Sequence, residues 1–319
     1  MTRKTTIAVA SLFGLLAAGS FAAEKTYTFG IVAKSNNNPV FQAAKTGAED
    51  EAKALGEKNG VTIKIDWRTP NEEDPQKQVE AIETLVNAGA NGIAVSASDA
   101  NKLTDAINSA VAKGVTVVCF DSDVPKSKRL ANFGTDDIDC GHKVMSELAK
   151  EMNGKGVVAI LAGNQNAPNL QKRVAGVKEE AKKSAGIKII DTYYHKETPQ
   201  DAAAKVEQVM QAHPEITGWA MVGGWPLFTD NALKFTPGSV KVVAVDALPA
   251  ELGYLRDGHV QVLLAQQVYE WGTESVKMLY DKAANHKNPP SSFVKADLIP
   301  VTKSNVEEFA KNWEKWLPK

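Results

Sequence analysis

The chain of 319 residues has only two cysteines, Cys119 and Cys140, and five histidines. The histidines stand at positions 142, 195, 213, 259 and 286, never paired at metal-ligand spacing. That scatter gives no basis for a metal centre. No G-x-G-x-x-G follows a strand pattern, no G-x-x-x-x-G-K-[ST] occurs, and no G-x-S-x-G elbow is present. Nucleotide phosphates therefore lack a cradle and a serine nucleophile lacks its turn, so neither a cofactor nor catalysis is expected. Charge of one sign is missing too: 37 basic against 38 acidic residues leave a formal net charge of -1. Such a balance provides no electrostatic reason to bind nucleic acid. Past residue 22 no apolar run is long enough to cross a bilayer, so direct membrane insertion is not expected.

What the first residues do contain is the pattern of a secretory signal. Arg3 and Lys4 are followed by the apolar Ile7 to Ala18 and by small residues at Ser20 and Ala22. Cleavage after Ala22 would remove two basic and no acidic residues, giving -3, and would release an exported, soluble, periplasmic chain. An oxidising compartment permits a disulfide between Cys119 and Cys140. The alternative is a pair of small buried thiols, and geometry decides between them.

The remainder repeats one unit. Thr28 to Ala33 is a β-branched, apolar run of strand length, stopped by Asn36-Asn37-Asn38-Pro39. Phe41, Ala44, Ala48, Ala52 and Leu55 then recur at helical spacing, with Pro39 suited to a first helical turn. Strands at 61–65, 92–95 and 115–120 alternate with helices at 73–88 and from Asp99 to before Gly114. Continuous rather than alternating apolar strands indicate parallel sheets covered on both faces. The rhythm breaks in the charged stretch 125–132 and restarts with a helix at 138–152. A second series of strands follows at 156–161, 187–192, 218–222, 240–245 and 260–265. Helices are expected at 169–183, 199–212, 227–233, 249–257, 269–284 and 304–316, with 293–300 extended. Two such series predict α/β architecture in two doubly wound domains joined by short crossings.

In open α/β sheets ligands bind at the carboxyl ends of strands. Here those ends carry acids and amides: Asn38, Asp121, Asp246 and Gln266, with Phe41, Trp67 and Trp225 beside them. Carboxylates and amides can each hold two hydroxyls, and aromatic faces stack on the C–H side of a sugar ring. The mixture suits a neutral polyhydroxylated ligand better than an anion, which would want convergent Arg or Lys. Each residue has a plainer reading: Asp121 and Asp246 as helix caps, Gln266 as an internal hydrogen bond, and Trp225 and Trp67 as core.

Asn37-Asn38-Pro39-Val40-Phe41 resembles the N-N-P-F-F segment of the ribose-type, type I periplasmic sugar-binding proteins. Val117 to Asp123 looks like their strand ending in aspartate, and Arg173-Val174-Ala175-Gly176-Val177 is similar to their R-x-x-G-F helix. Val242 to Asp246 and Leu264 to Gln267 match two more landmarks in order, so the likeness covers essentially the whole chain after residue 22. It implies lobes of 23–133 plus 267–298 and 134–266 plus 299–319, joined by a three-stranded hinge that closes on a sugar or sugar alcohol. The implied partner is a membrane ABC permease, and the implied state is a monomer. Carried over, the likeness places Asn38, Asp121 and Ser122 of the first lobe and Asp246 and Gln266 of the second on the ligand, with Phe41 stacking on the ring. Gln171 stands at a ligand-binding position on the Arg173 helix, with Asn169 on the same turn; Arg173 itself either reaches the ligand or braces the loop. Val40, Ser122 and Gly223-Gly224-Trp225 depart from the ribose pattern, which puts ribose in doubt and offers Trp225 as a replacement aromatic face. A receptor for chemotaxis or a quorum-type furanosyl signal is the alternative to transport. A sugar-cleaving enzyme would need Asp121 and Asp246 to act as an acid–base pair.

Overall fold

The computed structural model describes residues 25–317, so the expected export signal lies outside the described residues. The first series is β1 (Thr26–Val32), α1 (Pro39–Asn59), β2 (Thr62–Trp67), α2 (Pro75–Asn87), β3 (Gly92–Val95), α3 (Ala100–Ala112), β4 (Thr116–Phe120) and β5 (Asn132–Thr135). The second begins with α4 (Asp137–Glu151), β6 (Lys155–Ala162), α5 (Pro168–Ala181), β7 (Gly186–Tyr194), α6 (Pro199–Ala212) and β8 (Gly218–Met221). It continues with β9 (Lys241–Val245), α7 (Pro249–Asp257), β10 (Val262–Ala265) and α8 (Val268–Asn285). The chain closes with β11 (Phe293–Ala296), β12 (Ile299–Val301), α9 (Val306–Ala310) and α10 (Trp313–Trp316).

Two six-stranded sheets result, ordered β2-β1-β3-β4-β5-β11 and β7-β6-β8-β9-β10-β12. The order is the same in both, and every pairing is parallel except β10 with β12. Helices cover both faces, which is why β3 and β4 are apolar without alternation. On one face of the first sheet Ile82 and Leu85 of α2 and Leu103 and Ile107 of α3 pack on Val32, Ile93 and Val117. On the other, Phe41 and Ala44 of α1 join Phe29, Phe120 and Trp271. The chain passes between the sheets three times: from β5 into α4, from β10 into α8, and from β11 into β12.

Local signals explain the boundaries. Asp74 and Asp99 cap α2 and α3, each accepting two backbone N–H groups from the first turn. Gly60 and Gly89, both left-handed at φ 62° and 78°, follow α1 and α2.

Tertiary pairing overrides local sequence in several places. Asn132–Thr135, at the end of the charged stretch, is a fully buried strand rather than a lead-in to a helix, because β4 and β11 pair with it on either side. The extended run 293–300 splits between the two sheets. The expected helix at 227–233 is a 3₁₀ turn, Trp225–Phe228, and Asn231 in the left-handed region at φ 56° ends any continuation. The terminal helix is two short ones, α9 and α10. Trp316 of α10 stacks on Tyr269 of α8, while the Trp313 indole N–H donates to the Ala247 carbonyl at 2.8 Å. The last turn is thus tied to groups next to both sheets.

Cys119 and Cys140 do not form a disulfide: both are free and fully buried, one in β4 beneath α2 and α3, the other in α4 within the core of the second lobe. Burial pushes each thiol up to about 12, so both stay protonated.

Candidate functional site

β4 and β9 occupy equivalent places in the two sheets, and each ends in an aspartate. Asp121 and Asp246 both take left-handed backbone conformations, at φ 54° and 83°, and both are buried with 7% of their surface exposed. A non-glycine residue held there is strained and persists only where its surroundings enforce it. The Asp121 charge bears on Asp246, so the two ends share one gap between the lobes. Burial pushes the Asp246 carboxyl up, against the pull of Gln266 and Arg173.

The first lobe holds Asp121 with a neutral hydrogen bond and one buried ammonium. The Ser96 hydroxyl donates to Asp121 Oδ2 at 2.7 Å. Gln78, fully buried, donates to the carbonyls of Ala33 and Ser96 and accepts from the Ser98 N–H and hydroxyl. It thereby clamps the ends of β1 and β3 beside β4. Lys34, at the end of β1, is 3% exposed, with its ammonium 3.8 Å from Asp121 and 3.4 Å from Asn169 Oδ1. Burial works against that charge, yet Asp121, Glu197 and Glu73 outweigh it and hold the ammonium above the ordinary lysine range.

The second lobe uses charges. Arg173 is 2% exposed and its guanidinium reaches three partners: Asp137 at 2.9 Å, the Val222 carbonyl at 3.2 Å and Gln266 Oε1 at 2.7 Å. Gln266 donates to Asp246 Oδ1 at 2.7 Å and accepts from the Thr135 hydroxyl at 3.2 Å. Of the two roles open to Arg173, the bracing one describes these bonds. The guanidinium links α4, β8 and the crossing after β10, and orients Gln266 toward Asp246.

Asn169, buried in the first turn of α5, donates to Asp121 Oδ1 at 3.2 Å, so the lobes touch directly across the gap. Gln171 lies elsewhere: it is exposed on α5 and donates to the Gln165 carbonyl in the loop before that helix. Two turn positions on one helix cannot face the same way (about 100° apart per residue), and Asn169 has the inward one. Asn38 accepts from the Val40 N–H at 3.2 Å as the cap of α1. Phe41 is enclosed in the first-lobe core, its ring 6.4 Å from Phe120 and 6.0 Å from Trp271, so it presents little free face for stacking. Trp67 is half-buried near the rim, donating to Asn36 Oδ1 at 3.1 Å. Ser122 is fully buried, with its hydroxyl oxygen lacking a hydrogen-bond partner. Trp225 folds back over Gly223, where a Cβ would sit 2.1 Å from the indole, and meets His195 edge-on at 5.2 Å. The glycine pair therefore makes room for this indole and for Glu251, whose Oε1 lies 1.9 Å from a Cβ on Gly224.

Sequence reading offers Lys34 as a rim contact or a solvated lysine, and it missed Ser96, Gln78, Asp137, Glu73 and Glu197. Lys34 follows a buried strand directly, which is the one signal that sets it apart from a solvated lysine. The others gain their roles only from tertiary placement. Among the described residues no group of three or more His, Cys, Asp or Glu side chains could hold a metal ion. Among the same residues no helix is long and apolar enough to cross a membrane.

Comparison with known proteins agrees with this architecture. The profile of the periplasmic binding protein domain matches residues 29–287. The D-allose-binding periplasmic protein of Escherichia coli (strain K12) is 28% identical over 294 residues, spanning 88% of this chain and 91% of that protein. The ribose import binding protein of Bacillus subtilis (strain 168) is 24% identical over 245 residues, spanning 76% and 77%. Among solved structures, an ABC transporter solute binding protein from Burkholderia graminis in complex with D-arabinose superposes with a TM-score of 0.81 at 28% identity. That match covers 88% of this chain and 96% of the other. A glucose-galactose binding protein from Geobacillus stearothermophilus shares the fold, with a TM-score of 0.80 at 23% identity over 88% and 99% of the chains. Two α/β lobes with one strand order, crossed three times by the chain and meeting over paired aspartates, place this protein in the periplasmic binding protein domain family, with the type I fold.

Proposed function

We propose that this chain binds a neutral sugar or sugar alcohol between its lobes and delivers it to a membrane ABC permease. The observation that carries the reading is the pair of buried aspartates, Asp121 and Asp246, offered from opposite lobes to one gap. Each carboxylate can accept bonds from two vicinal hydroxyls, and Lys34 and Asn169 supply donors beside them. A ligand touching both lobes favours the closed arrangement by the difference of its affinities for the closed and open forms. The cations of the gap are matched: Lys34 faces Asp121, and Arg173 faces Asp137. A sugar acid or phosphate would add negative charge beside Asp246, and among the described residues the cations of the gap are already paired, which disfavours anions. The allose- and ribose-binding relatives and the arabinose complex support a pentose or hexose.

In this reading the lobes are 23–133 plus 267–298 and 134–266 plus 299–319, except that β5 keeps 134–135 in the first sheet and the last turn, α10, leans on the first lobe. The leader at residues 1–22 directs export, the mature chain works in the periplasm as a monomer, and it carries out no chemistry on its ligand. The polar groups on the ligand are Asn38, Asp121, Asn169, Asp246 and Gln266, with Trp67 and Trp225 as the aromatic walls. A thermal-shift screen with D-allose, D-ribose, D-arabinose, D-apiose and xylitol tests this. At least one should raise the melting temperature by several degrees, and Asp246→Ala should abolish the rise. A folded chain indifferent to every pentose, hexose and polyol would overturn the reading.

A further inference from the structure

At the rim of the gap, two carboxylates from opposite lobes converge on one asparagine. Asn164, in the loop between β6 and α5, donates its backbone N–H to Glu197 Oε1 at 3.1 Å and its side-chain amide to Glu73 Oε1 at 3.4 Å. Glu73 precedes α2 in the first lobe, whereas Glu197 precedes α6 in the second. They are therefore brought together only when the lobes meet. Among the described residues neither has a lysine or arginine nitrogen within 4.0 Å. Glu73 and Glu197 are both half-buried.

We propose that closure takes up a proton at the Glu73–Glu197 pair, making sugar capture tighter in acid and release easier as the pH rises. The proposal rests on the binding function above. Two like charges forced together out of water cannot both stay ionised at low cost, so one carboxyl takes a proton. Burial and Glu73 push Glu197 up to about 7 against the pull of Lys34, and burial pushes Glu73 up as well. The other groups facing the pair are Asp121, which adds negative charge, and Lys34, already engaged with Asp121. Beside them stand Lys196, His195 and Asp74, the last capping α2.

The sign follows from the two states. In the open form both carboxyls return to water and to ordinary values near 4.5. A raised value in the closed form favours closure fully below about 4.5, and that advantage is lost as the pH climbs through about 7. Burial pushes His195 down, but its neighbours Trp225, the Lys196 carbonyl, Asp201 and Lys205 all belong to its own lobe, so its titration is not tied to closure.

The test is calorimetric titration of the mature chain with whichever of D-allose, D-ribose and D-arabinose binds. Runs at pH 5, 6, 7 and 8 in buffers of different ionisation enthalpy read affinity and proton uptake together. Wild type should weaken by about tenfold between pH 5 and 8 with net proton uptake near pH 7. Glu73→Gln with Glu197→Gln should bind with affinity independent of pH and take up no proton. A flat wild-type profile, or a slope that survives in the double variant, overturns the proposal. Should no sugar bind, the function reading has failed by itself. The Glu73–Glu197 pair is then tested on the free protein, from the distance between spin labels at Lys102→Cys and Gln208→Cys, the native thiols being buried. Acid should shift that distance distribution toward the shorter, closed form in the wild-type background and not in the Gln variant. No shift in either contradicts it.

Discussion

Asp121 and Asp246 occupy matching strand ends and the same strained backbone region, yet their lobes hold them by different means. The first lobe backs Asp121 with a hydrogen bond from Ser96, itself set by Gln78, and with the Lys34 ammonium of the same lobe, while Asn169 reaches it across the gap. The second lobe backs Asp246 with an ionic chain, Asp137 to Arg173 to Gln266, and keeps it within one lobe and the hinge. The neutral part of that support, Ser96 and Gln78, tolerates the loss of one partner at moderate cost. An ionic chain does not, because each removal strands a buried charge. The same ligand-binding geometry can thus be sensitive to damage at one end and forgiving at the other.

The largest effects should come from the aspartates themselves. Asp121→Ala or Asp246→Ala should each lower sugar affinity by about a thousandfold, since a hydrogen bond to a charged group is worth roughly 1.5–3 kcal/mol and each carboxylate can accept two. Calorimetry checks this, and equal losses would show that the two supports deliver equivalent acids. Next comes Arg173→Met, which leaves Asp137 buried and unpaired. Chemical denaturation should show a loss of about 3–5 kcal/mol. The counterpart in the other lobe is Gln78→Leu, expected to cost about 1–3 kcal/mol for the carbonyls of Ala33 and Ser96 left without a donor. If Gln78→Leu proves the more damaging, the contrast between the lobes is wrong. Smallest is Trp313→Phe, which deletes the bond to the Ala247 carbonyl for about 1 kcal/mol and should leave affinity nearly unchanged. A thiol-reactive dye should find Cys119 and Cys140 silent in the folded chain and both reactive after unfolding.

The doubly wound architecture is legible because apolar strands and periodic helices are local patterns. The run from Val117 to Phe120 and the helix carrying Ile82 and Leu85 each declare themselves within a few residues. β5 is not legible, because Asn132 and Gly134 are poor strand formers and only its neighbours make it one. Polar strand ends are legible as positions, so Asp121 and Asp246 stand out. What surrounds them is not, since Ser96, Gln78 and Asp137 reach the site from other elements through side-chain bonds with no sequence spacing. Gln171 and Phe41 show the limit of analogy: the motif places the right element, while the inward direction of each side chain depends on packing. For Phe41 that packing is Phe120 and Trp271; for Gln171 it is the loop carbonyl of Gln165.

The central claim is that a carbohydrate held by both lobes stabilises their closed arrangement. Small-angle X-ray scattering of the mature chain, with and without a sugar that raises its melting temperature, tests it most directly. The account predicts that the sugar reduces the radius of gyration and brings the profile onto the one calculated from this structure, while Asp121→Ala shows no change. A sugar that binds yet leaves the scattering profile of the wild-type chain unaltered and more extended than this structure would contradict it.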